Sequence, residues 1–133
     1  MQHKAILSHT EVTRILAAAR AEAEANQWQV SIAVVDDGGH PLALERLDGC
    51  APISAYIATE KARTAALGRR ESKGYEDMVN GGRSAFLSAP LLTSLEGGVP
   101  VLVDGQVVGA VGVSGVKAEQ DAQIARAGAQ CLA

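Results

Sequence analysis

The chain has 133 residues and a formal charge of −3 at pH 7, a length that suits one domain around one core and leaves no room for a second. Its 12 basic residues are dispersed and only 3% of the chain is aromatic, which argues against a phosphate-tracking surface and against base-stacking platforms. No run approaches the ~20 apolar residues that a membrane span needs.

Met1 to Leu7 lacks the long apolar stretch of a secretory signal, so a cytoplasmic protein is expected. Cys50 and Cys131 are far apart and show no metal-ligand spacing. Two reduced thiols are the simpler expectation, with a single disulfide as the alternative.

The elements follow in chain order. Ser8-His9-Thr10-Glu11 has the form of a capping box, in which the serine accepts from the third helical amide. Val12, Ile15, Leu16, Ala19 and Ala23 then repeat at helical spacing to about Asn26. Val30 to Asp36 is a β-branched run expected to be a largely buried strand. Asp37-Gly38-Gly39-His40 is turn chemistry, and Pro41 to Leu47 returns as the second strand of a hairpin. After the Asp48-Gly49-Cys50 loop, Pro52 suits the first turn of a helix running to Leu67, with Gly68 as its terminating cap. A short helix is expected at Tyr75 to Val79, a third strand at Leu91 to Leu95, and a closing hairpin from Val99 to Val103 and Gln106 to Ser114. A last helix spans Ala118 to Leu132. Strands joined by tight turns must pair antiparallel, so the expectation is a single α+β domain over residues 1–133, with helices covering an antiparallel sheet.

The hairpin near the C-terminus is the most informative stretch. Asp104-Gly105 supplies the two positive-φ positions of a type I′ turn. The strand after it carries Gly109, Gly112 and Gly115. Glycine weakens a strand, so three of them suggest that something approaches the backbone closely. A ligand-pocket floor is the expectation, completed by the helix N-terminus that follows.

Five blocks in order carry a resemblance to a known family. They are Val35-Asp36-Asp37-Gly38-Gly39-His40-Pro41-Leu42, Arg46-Leu47-Asp48-Gly49-Cys50, Lys61-Ala62-Arg63-Thr64-Ala65, Glu96-Gly97-Gly98-Val99-Pro100, and Gly109 to Gly115 with Gln120-Asp121. Together they resemble the GlcG/HbpS family, which also includes the C-terminal domain of PduO-type proteins. The resemblance covers nearly the whole chain. It implies a profilin-like α/β sandwich with a central five-stranded antiparallel sheet, and assembly into dimers, tetramers or octamers. It also implies haem as a ligand of some members, while others accompany glycolate, diol or glycerol metabolism.

Candidate site residues follow from both readings. His40, after Gly38 and Gly39, can ligate a haem iron or bond a ligand carboxylate; a solvated turn histidine is the plain alternative. Lys61 shares a helix face with Thr64 at i, i+3 spacing and can hold a propionate or small acid, or simply snorkel over the sheet. Ser114-Gly115 offers free amides at a helix N-terminus that can receive an anion. Asp37 is read as a turn former, Asp48 as a partner of Arg46, and Arg63 as half of a structural ion pair.

No nucleophile elbow, Walker loop, paired Cys-x-x-Cys or zinc-binding His-Glu-x-x-His is present. The expected function is therefore a non-enzymatic small-molecule binder, with a pocket between the Gly38-Gly39-His40 turn, Lys61, Thr64 and Ser114-Gly115. The alternative is an enzyme or accessory protein acting on a small hydroxy acid or a diol-pathway metabolite, with Lys61 as clamp.

Overall fold

Four strands, not five, form one antiparallel sheet in the order β2-β1-β4-β3. The computed structural model describes residues 1–133 as α1 (His9–Ala25), β1 (Ser31–Asp36), β2 (Pro41–Arg46), α2 (Ile53–Gly68) and α3 (Lys73–Asn80), then a 3₁₀ turn at Ser84–Ser88, β3 (Gly98–Val103), β4 (Gln106–Ser114) and α4 (Ala118–Ala129). Asp104 and Gly105 take φ values of 51° and 76°, the two left-handed positions that let the β3–β4 turn follow the strand twist.

The expected strand at Leu91 to Leu95 does not form. Leu91 is left-handed at φ 60°, and the neighbouring backbone groups are satisfied by helix side chains instead of a ladder. The Thr93 N–H donates to Thr64 Oγ1 at 2.8 Å and the Leu95 carbonyl accepts from Ser72 Oγ at 2.6 Å. With those partners found, no strand neighbour is needed.

Two helix ends also differ from expectation. The Ser8 hydroxyl bonds the Glu11 carboxylate and leaves the first amides of α1 without a side-chain cap. Gly68 is the last helical residue of α2, and Arg69 takes the left-handed position beyond it at φ 56°. The glycine is required instead by packing, because a Cβ there would run into the Tyr75 hydroxyl.

Helices cover both faces of the sheet, and the two faces differ in side-chain size. Ile32 and Val34 of β1 and Val111 and Val113 of β4 join Val12, Ile15, Ala19, Ile124 and Ala125 in the larger core beneath α1 and α4. On the other face Ala33, Val35 and Ala110 meet Ala58, Ala62, Ala65 and Ala66 of α2. This second layer is an alanine seam, and α2 lies unusually close to the strands. A Cβ on Gly112 would collide with the Ala58 carbonyl and lie 2.5 Å from the Ala62 nitrogen, and one on Gly98 would collide with the Lys61 carbonyl. The close approaches implied by the strand glycines are therefore made by the protein itself, by α2 at Gly112, by Val35 and Leu7 at Gly109 and by Gln29 and Val30 at Gly115. The expected pocket floor is filled by the protein.

The edge strands β2 and β3 each carry a proline, Pro41 opposite Val35 and Pro100 opposite Ala110, and each pairing shifts register once. On β2, Leu42 and Leu44 remain 41% and 50% exposed, because α2 sits over the central strands and leaves this edge uncovered. No helix is long and apolar enough to cross a membrane.

Candidate functional site

The turn between β1 and β2 is organised by one carboxylate. Asp36 Oδ1 accepts the N–H of Gly38 at 2.9 Å and of His40 at 3.0 Å, and the His40 Nδ1 lies 3.0 Å from the same oxygen. Gly38 makes room for this arrangement, since a Cβ there would sit 2.8 Å from the imidazole. Gly39, at φ +80°, lies against the stem of Arg63 and the side chain of Leu67 on α2. Burial alone would raise the Asp36 carboxyl, but the two backbone donors and the imidazole outweigh it and hold it below the ordinary aspartate value.

With Nδ1–H directed at a carboxylate, the lone pair of the imidazole falls on Nε2, and the ring is held in orientation. The His40 side chain is 78% exposed, so that nitrogen faces outward. Asp37 sits in the turn as expected, closed by the Gly39 N–H on the Asp36 carbonyl at 3.1 Å, and its carboxylate pairs in addition with Lys4 at 2.6 Å.

Lys61 and the end of β4 make a second cluster, and it is closed. Lys61 is 4% exposed. Its Nζ donates to the Val113 carbonyl and to Asp121 Oδ2, each at 3.0 Å. The other Asp121 oxygen accepts the Val116 N–H at 3.1 Å. Asp121 therefore fills from within the anion position that Ser114-Gly115 and the start of α4 would offer. Gly115, at φ +145°, abuts the backbone of Gln29 and Val30. Thr64 is fully buried and spends its hydroxyl on the Glu60 carbonyl and the Thr93 amide.

Burial pushes the Asp121 carboxyl above the ordinary aspartate value, against the pull of the Lys61 ammonium and the Val116 N–H. The pair joins α2, on one face of the sheet, to α4 on the other.

The sequence-predicted residues thus separate into two groups. Asp36, at the His40 turn, pairs with Gly109, whereas Ser114 pairs with Ser31 at the opposite end of β1. Five residues of strand separate those ends, about 17 Å. One protomer does not bring His40 together with Lys61, Thr64, Ser114 and Gly115.

A surface missing from the sequence reading lies beside β2. Leu44 and Arg46 of β2 and Pro52, Ala55 and Tyr56 at the start of α2 line a recess of ≈500 Å³. Tyr56 is 75% exposed, and Arg46 makes no ion pair; its expected bridge to Asp48 is absent. Arg63 pairs as expected, with Glu60 at 2.6 Å. The available sequence signal was an edge strand that places apolar Leu42 and Leu44 where nothing covers them.

Both cysteines are free thiols, with different surroundings. Burial would raise the Cys50 thiol, but Ser31, Ser54 and Arg46 outweigh it and hold it below the usual cysteine value. Burial pushes the Cys131 thiol up. Because the thiolate is the nucleophile, iodoacetamide at neutral pH should alkylate Cys50 before Cys131. Peptide mass spectrometry over a time course reads the order, and equal or reversed rates would contradict the assigned environments.

Comparison with known proteins places these features in a family. Residues 7–130 match the family model described as "Haem degrading protein HbpS-like". Protein GlcG of Escherichia coli strain K12 is 70% identical over 114 residues, covering 86% of this chain and 85% of that one. Among solved structures, a double mutant of HbpS from Streptomyces reticuli superposes with a TM-score of 0.89 at 32% identity, over 100% of this chain and 91% of that one. A PduOC:heme complex superposes with a TM-score of 0.85 at 26% identity, over 96% and 95% of the two chains. With its helix-flanked antiparallel sheet and its ordered motif blocks, this chain belongs to the HbpS-like family.

Proposed function

We propose that the protein binds haem or a related tetrapyrrole, with His40 facing the iron. The observation that carries this reading is the outward imidazole whose Nδ1 is held by Asp36. A carboxylate-oriented histidine with a free Nε2 is the usual form of a metal-ligating imidazole. The chain has no cluster of three or more His, Cys, Asp or Glu side chains able to hold a metal ion. A group whose own ring nitrogens provide most of the coordination needs only one such ligand from the protein.

The surroundings fit the rest of such a molecule. The exposed Leu42 and Leu44 offer apolar surface on the strand that follows His40. When bound, haem supplies a redox-active iron with exchangeable positions; His40 orients it and the leucines exclude water from its face. The family's printed description and the haem complex of a structural relative support the same ligand class. Lys61, Thr64, Ser114 and Gly115 belong to this proposal only as framework.

Assembly into dimers, tetramers or octamers is part of the same reading. It is supported by the exposed Leu44, Ile53 and Tyr56, at 50%, 63% and 75%, which leave an apolar surface for other copies. Cytoplasmic residence is likewise proposed. The alternative, an enzyme or accessory acting on a hydroxy acid or diol-pathway metabolite, relied on Lys61 as clamp. That ammonium is bonded to Asp121 and Val113, and no other observation favours it.

Hemin titration, with particle mass followed by sedimentation equilibrium, tests the proposal. The expected result is a saturable Soret shift, with His40→Ala weakening binding at least tenfold while its circular dichroism stays unchanged. A featureless difference spectrum removes the ligand, and an unaltered variant spectrum removes His40 from its role.

A further inference from the structure

A second recess, of ≈510 Å³, lies at the end of the β1–β2 ribbon away from His40, lined by Glu24, Gln27, Trp28, Gln29, Leu47 and Asp48. The way α1 ends creates it. Gln27 is left-handed at φ 59°, and the Trp28 N–H reaches back to the Ala23 carbonyl at 2.9 Å, which turns the chain sharply toward β1. Trp28 rests against the larger core and stays partly exposed, so the indole forms a wall of the recess. Opposite it, the loop at Gly49 fits against the Gln29 carboxamide, where a Cβ would lie 2.6 Å from the amide carbon.

The charged side chains that line this recess, Glu24 and Asp48, are both acidic. Neither Glu24 nor Asp48 takes part in an ion pair. The last turn of α1 has no basic residue, so the negative end of the helix dipole is left uncompensated beside them. Arg20, one turn back on α1, is engaged by the Glu45 carboxylate through two nitrogens. The recess therefore combines an aromatic face, two unpaired carboxylates, two carboxamides and a helix C-terminus.

A cation with an apolar body satisfies all four features. The indole face attracts it through the ring quadrupole, the carboxylates compensate its charge, and the volume is that of a small-ligand site. A bare metal ion fits poorly, since the chain has no cluster of three metal-ligating side chains. We propose that the recess between the end of α1 and the β2–α2 loop binds an organic ammonium ion on Trp28, held by Glu24 and Asp48. This site is separate from the tetrapyrrole proposal and stands or falls alone.

Trp28 is the single tryptophan of the chain, so its fluorescence reports on this recess directly. The wild-type protein is titrated at constant ionic strength with choline, with putrescine, and with 3,3-dimethyl-1-butanol as the uncharged counterpart of choline. At least one of the two cations should give a saturable emission change that the alcohol does not. In a Glu24→Gln/Asp48→Asn variant, its midpoint should rise tenfold or more. Both altered side chains are exposed, and circular dichroism verifies that the variant is folded. The proposal is overturned by no saturable change with either cation, by an equal response to the alcohol, or by a double-variant midpoint within twofold of wild type.

Discussion

Replacing Gly112 with alanine should destabilise the protein by about 3 kcal/mol, the upper end of what an overpacked core costs. The added methyl would overlap the Ala58 carbonyl and approach the Ala62 nitrogen at 2.5 Å. These are backbone atoms of α2, so no side-chain rotation relieves the clash. The helix must lift, and the contacts of Ala33, Ala62, Ala65 and Ala110 beneath it are lost together. Gly74→Ala is the matched control. It lies within α3, and its Cβ would meet nothing closer than Arg70 Cδ at 3.6 Å. There alanine should raise stability by about 0.5–1 kcal/mol through its better helix propensity. Urea unfolding of both variants decides the matter; a Gly112→Ala loss below 1 kcal/mol would mean that α2 does not lie this close.

The second large effect is expected at Lys61. Its side chain and that of Asp121 are 5% and 3% exposed. Lys61→Met leaves a carboxylate buried without its counter-charge, a change that costs about 3–5 kcal/mol. Asp121→Asn in the same molecule removes that charge and keeps an acceptor for the Val116 N–H, so the double variant should recover most of the loss. Burial already raises the Asp121 carboxyl, and without Lys61 it rises further. An acid with a raised folded pKa contributes stability at low pH that is lost as pH climbs through that value. The Lys61→Met deficit should therefore be larger at pH 7 than at pH 5. A pH-independent deficit, or a double variant as unstable as the single one, would show that Lys61 acts by packing alone.

The course of the chain was largely readable because its signals are local. Asp104-Gly105 fixes a turn by backbone preference, and the periodicity of Val12, Ile15, Ala19 and Ala23 marks the buried face of α1. What could not be read depends on partners distant in sequence. Gly112 announces a close approach, but nothing local says whether a ligand or α2 makes it. Lys61 looks like a free cation until Asp121, 60 residues later, is brought to it. Leu91 to Leu95 is apolar enough for a strand, yet Thr64 and Ser72 take its backbone groups first. His40 is legible as a candidate, but its partner Asp36 is not, because alternation along a strand points neighbouring residues to opposite faces. The turn folds the imidazole back onto that carboxylate, and alternation along a strand does not predict this.

Both rims of the sheet are interrupted in the same manner. Pro41 and Pro100 each lack a donor, and the ladder on each side slips by one position near them. A foreign strand arriving at either rim would find a gap and a kink in place of a continuous row of partners. Runaway edge-to-edge stacking is thereby discouraged at both ends of the sheet. An association of copies through side-chain surfaces, where the same patch serves both partners, would close into a finite particle instead of a fibre.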